Sequence, residues 1–128
     1  MDYHFSQKVK LPYVEALYNT VEALKKEGFG IITSIDMREV LKKKLGVNFR
    51  NYTILGACNP RYSYEALLEE DKMGVFLPCN VVVQEHEDGE VEVSVVNPEA
   101  LTQHVDDLTL KSFATDIKSS LLHALHQI

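Results

Sequence analysis

The chain has 128 residues, of which 45% are hydrophobic and 25% charged, and a net charge of −6. That length and apolar content suit one domain, residues 1–128, with one sizeable core, and they exclude a disordered chain. The negative balance argues against nucleic acid as a partner, because phosphate binding draws on clustered Lys and Arg, and no apolar run reaches the length of a membrane span.

Tyr3, Phe5 and Val9 alternate with His4, Ser6 and Lys8, which predicts a first strand with one buried face. The opening residues carry no basic start followed by an apolar stretch, so they do not read as a signal peptide, and a cytoplasmic location is expected. Pro12 suits the first turn of a helix. Val14, Leu17, Tyr18, Val21 and Leu24 then recur at helical spacing, and Gly28 is expected to stop that helix. Phe29 to Ile35 is β-rich and predicts a second strand. Asp36 can cap a short helix, with Glu39 three residues on in a capping-box relation. Met37, Val40, Leu41 and Leu45 would form its inner stripe, and Gly46 would end it. Lys42, Lys43 and Lys44 read as a solvated helix face rather than a phosphate patch.

Asn51 to Cys58 predicts a third strand. Asn59-Pro60 then reads as a helix N-cap with proline at the first helical position, opening a helix to Met73 that Gly74 closes. Two more strands flank Asp88-Gly89, a strong hairpin signal. Leu77, Cys79, Val81 and Val83 share a face on the first arm, as do Val91, Val93 and Val95 on the second. Asn97-Pro98 ends the hairpin. A long amphipathic helix follows from about Asp107, with Leu110, Phe113, Ile117, Leu121, Leu125 and Ile128 inward. The predicted class is α+β: one antiparallel sheet in β-α-β(4)-α order, with short inserted helices and the long helices packed on one face. The other sheet face should carry Ile32, Val82 and Val96, which are not solvent residues. Inserted helices or a second subunit are expected to cover part of it.

The two cysteines stand in matched settings, Cys58-Asn59-Pro60 and Cys79-Asn80. In a reducing compartment they are expected to be free thiols. Cys58 precedes a helix N-terminus, whose positive dipole end favours a thiolate. Asn59 and Asn80 offer amides that could orient a ligand or an oxyanion, and Gly56 permits close approach of a ligand or backbone. The simpler alternative makes both cysteines core residues, Asn59 a cap, and Asn80 a partner for backbone where Pro78 interrupts the ladder. If the third and fourth strands pair antiparallel the thiols could be neighbours; parallel pairing would separate them. Two cysteines without a C-x-x-C cannot build a zinc ribbon or a C-x-x-C redox motif. His123 and His126 share a face of the last helix and could chelate a metal, adventitiously or otherwise, if a third ligand arrived from elsewhere. The cofactor is left unknown; P-loop, G-x-G-x-x-G and G-x-S-x-G motifs are missing.

"GFGIITSIDMREVLKKKLG", "YTILGACNP" and "VFLPCNVVVQE", in this order and spacing, resemble the prokaryotic family catalogued as domain of unknown function 302. The likeness extends over nearly the whole chain. It implies a fold similar to the TATA-binding-protein-like grouping, with the sheet curved around the long helices, the third and fourth strands antiparallel, and a plausible dimer. It carries over no reaction, only a set of ligand-binding candidates: Gly56, Cys58, Asn59, Pro60, Pro78, Cys79 and Asn80. A likeness to a DNA-binding fold does not extend to function, given a net charge of −6.

Three functions compete on these residues. The favoured one is a non-enzymatic homodimer that binds a small molecule or protein partner. The second is thiol-based: redox sensing, sulfur handling or soft-metal binding at Cys58 and Cys79. The third is a hydrolase or isomerase using the asparagines as an oxyanion site, ranked last because no general base stands at a recognisable spacing.

Overall fold

The alternating valines on either side of Asp88-Gly89 form the middle of a five-stranded sheet. In the computed structural model, which describes all residues from Met1 to Ile128, the strands are β1 (His4–Val9), β2 (Gly30–Asp36), β3 (Tyr52–Cys58), β4 (Cys79–Glu85) and β5 (Val91–Val96). They lie in the order β1-β5-β4-β3-β2, and every neighbouring pair is antiparallel. Gly89 turns the hairpin at a φ of +87°, where a side chain would be strained.

Helices α1 (Tyr13–Lys26) and α5 (Leu108–Leu125) pack against one face of this sheet. Val81, Val83, Val91, Val93 and Val95 meet Ala16, Ala23 and Leu24 of α1 and Leu121, Ala124 and Leu125 of α5 in a single core. Burying each such valine or leucine is worth about 1.5–3 kcal/mol. Three shorter helices, α2 (Met37–Leu45), α3 (Pro60–Glu69) and α4 (Pro98–Thr102), and a 3₁₀ turn at Met73–Phe76 occupy the connections. No helix is long and apolar enough to cross a membrane.

The α+β class, the strand and helix order and the one-sided packing of the long helices agree with expectation. Several local assignments are corrected. Tyr3 is exposed rather than part of the buried face of β1. The buried stripe of α1 is Ala16, Thr20, Ala23 and Leu24, while Val14 and Tyr18 face solvent. Small residues let α1 lie close to the sheet, and the Thr20 hydroxyl is satisfied by the Ala16 carbonyl at 2.7 Å. Leu45 of α2 is exposed, and α2 buries no residue. The helix after Asn59 stops at Glu69, and Gly74 lies inside the 3₁₀ turn instead of closing a helix. The second sheet face is largely open within one chain: Ile32 is 60% and Ile35 43% exposed.

Candidate functional site

Pro60 opens α3 directly after β3, and Pro98 opens α4 directly after β5. These two helices, the 3₁₀ turn and the first half of α5 therefore gather at one end of the sheet, beside the start of β4. Glu99 of α4 accepts hydrogen bonds from Lys118 at 2.7 Å and Thr115 at 3.1 Å, both on α5. Those bonds hold its carboxyl below the usual carboxylate range. Tyr62 of α3 donates to Asp116 at 3.3 Å and meets the Phe113 ring edge-on at 5.7 Å.

Between these elements and the sheet lies a cavity of about 50 Å³. Of its 17 lining residues 13 are hydrophobic and none is charged. Phe29, Ala57 and Cys79 form the floor; Tyr62 and Ala66 of α3, Phe76 and Leu77, Leu101 of α4, and Phe113, Ala114 and Ile117 of α5 form the walls. The volume exceeds what one water needs and falls short of the ~150 Å³ that encloses benzene. Its half-buried rim residues, Asn59, Tyr62, Ser63, Phe76 and Leu77, mark the side from which a larger molecule could insert an apolar end.

Three polar side chains reach the wall. Thr102 gives its hydroxyl to the Pro98 carbonyl at 3.2 Å. The Ser63 hydroxyl lies 3.1 Å from the Cys58 sulfur. Asn59 occupies the N-cap position of α3, but its side chain forms no cap bond, contrary to expectation. It lies against Gly28 instead: a Cβ added there would come within 3.1 Å of Asn59 Nδ2. Gly28, at a φ of +87°, thus ends α1 and leaves room for the amide. Asn59 is the polar group of the wall that remains available to a ligand.

The seven candidate residues are not gathered into one pocket. Asn59 and Cys79 face the cavity. Cys79 is buried, and that burial, with Cys58 nearby as a lesser cause, pushes its thiol from 9.0 up to about 11. Cys58 ends β3 beside Ser63 and does not line the cavity. Gly56 has no room for a ligand. A Cβ there would collide with Thr33 Oγ1 and come within 2.8 Å of Pro78 Cγ. Its role is to let β2 and Pro78 close in, and Pro78 packs there accordingly. Pro60 is exposed at the start of α3. Asn80 points to the opposite sheet face, into a groove shared with His4, Ser6 and Ser94. On α5, His123 Nδ1 lies 2.8 Å from a Glu27 carboxylate oxygen at the end of α1. No group of three or more His, Cys, Asp and Glu side chains in the structure is arranged to hold a metal.

Sequence reasoning missed Phe29, Tyr62, Phe76 and Leu101 as cavity residues. They come from four separated segments, two of them too short for periodicity, and the antiparallel pairings Gly30 opposite Cys58, Ala57 opposite Cys79 and Val81 opposite Val95 bring them to one end.

The family model described as "Domain of unknown function DUF302" matches residues 5–128. The chain belongs to the DUF302 family. A crystal structure of an uncharacterized conserved DUF302 protein from Bacillus stearothermophilus is 31% identical in sequence and superposes with a TM-score of 0.91. That similarity covers 99% of this chain and 98% of the other. No curated protein matches the chain. The DUF302 fold is thus an α+β unit with a five-stranded antiparallel sheet, here spanning the whole chain.

Proposed function

We propose that this DUF302 protein is a non-catalytic binding module, acting as a homodimer, that takes the apolar end of an uncharged small molecule into the cavity beneath α3 and α4. One observation carries the reading: an apolar cavity with no charged wall residue keeps one uncommitted amide, Asn59, at its rim. Apolar walls supply affinity by excluding water, and a single placed amide supplies orientation. A charged ligand would lose its hydration with nothing to replace it.

The thiol-based alternative is weaker. The Cys79 thiol, pushed up to about 11 by burial, is protonated at neutral pH and so is a poor nucleophile and metal ligand.

Native mass spectrometry of freshly purified protein tests for a retained molecule and for a mass of two chains. Melting curves with octanol, octanoate and octylammonium test the ligand class. Octanol should raise the melting temperature, and the two charged analogues should raise it less. Equal effects from all three, or none from octanol, would defeat the reading.

A further inference from the structure

We propose that β2 is the seam of the homodimer, pairing antiparallel with β2 of a second copy of this chain. The inference rests on the homodimer reading above and names its surface.

The sheet has two edges, and they differ. β1, at one edge, carries Lys8, which is 2.6 Å from Glu90, and Lys10 lies just beyond it. Charges of this kind keep an edge strand from recruiting another. β2, at the other edge, has no such charge, and its one irregularity is the register shift between Ile31 and Thr33. From Gly28 to Ile35 it has neither a charge nor a proline. Every residue of Gly30–Asp36 except Ile31 is exposed, and the strand is bonded on one side only, to β3. A register shift between Ile31 and Thr33 leaves Ile32 60% exposed. The apolar surface continues inward from this edge. Ile35 stands opposite Ile54, and Ile54 opposite Val82, so a stripe of three aliphatic residues crosses the open sheet face from the seam.

Charge and symmetry select a second copy as the occupant. Two β2 strands running antiparallel about a two-fold axis place neutral residues against neutral ones. Asp36 of one copy falls towards Gly30 of the other, and its carboxylate stays on the Glu39 amide of its own chain. The two aspartates sit at opposite ends of the seam, away from one another. Pairing of β2 with β1 would instead propagate an open-ended sheet, and the guarded β1 edge opposes that. The assembly therefore closes at two.

Sedimentation equilibrium at micromolar concentration should give twice the 14.5 kDa chain mass. Ile32→Lys, which puts on β2 the kind of guard β1 already has, should weaken the dimer by about tenfold or more. Val14→Lys, on the exposed side of α1, should not. Hydrogen exchange of the unsubstituted protein should show β2 amides losing protection on dilution, which decides the matter even if Ile32→Lys folds poorly. A wild-type monomer across the range would overturn this seam and the homodimer reading together. A dimer untouched by Ile32→Lys, or one whose β2 amides ignore dilution, would overturn the seam alone. The cavity reading is tested separately by octanol.

Discussion

Gly56 and Cys79 show how far a single residue's surroundings decide its role. Gly56 looked like a place for a ligand to approach, and it proves to be where Thr33 and Pro78 close on the strand. Gly56→Ala should destabilise the fold by about 1–3 kcal/mol, as overpacking a tight site does, with no loss of octanol binding by the fraction that stays folded. Urea unfolding gives the first quantity and melting shifts the second. Cys79 carries a pH prediction. Its thiol keeps its proton in the folded chain up to about 11, whereas an exposed thiol loses it near 9.0. Above pH 9 the unfolded chain therefore sheds the proton first and gains ground. Stability attached to this residue is intact below pH 9 and is lost between pH 9 and 11, to a total of about 2 to 3 kcal/mol. Cys79→Ala should flatten that part of the stability–pH curve relative to the parent protein. Identical curves would show that the thiol is not held up by burial.

Among the elements, the two Asn-Pro pairs separate local pattern from tertiary use. Asn59-Pro60 and Asn97-Pro98 both open a helix after a strand, and both read as caps. Asn97 is buried, accepts from the Glu99 amide at 3.1 Å and donates to the Asp2 carbonyl at 2.7 Å. Asn59 is half-buried and caps nothing. Asn97→Ala should cost about 1–2 kcal/mol through the lost cap and the lost bond to the Asp2 carbonyl. Asn59→Ala should cost a few tenths, yet lower octanol affinity. Comparing the two by denaturation and by melting shifts distinguishes a structural asparagine from a binding one. The other element boundaries were legible where their chemistry is local. Asp36 caps α2 through the Glu39 amide at 3.1 Å, and Gly46 ends it at a φ of +68°. On α1, Leu17, Val21 and Leu24 pack inward as their spacing predicts, but the helix lies closest to the sheet along its small residues. Val14 and Tyr18 are large enough to look inward, but Ala16 and Ala23 are small enough to be there.

At the level of the whole molecule, the cavity exists because three connections, α1 to β2, β3 to β4 and β5 to α5, meet at one edge of the core. Ala114 of α5 is buried in its wall. Ala114→Leu should fill the space, abolish the octanol shift and change stability by no more than about 1–3 kcal/mol in either direction. A retained shift would place the ligand elsewhere.

Element order, the α+β class, the hairpin and the valine face of the sheet were all legible in the amino-acid pattern. Those follow from period-two and period-three-to-four burial and from turn chemistry, which act within a few residues. Tertiary structure alone decided that Asn59 and Cys79 share a cavity while Asn80 turns away, that Gly56 is filled by neighbours, and that β2 lies bare at an edge. Each of these depends on which distant segments meet, and side-chain periodicity along one segment holds no record of what is packed against it.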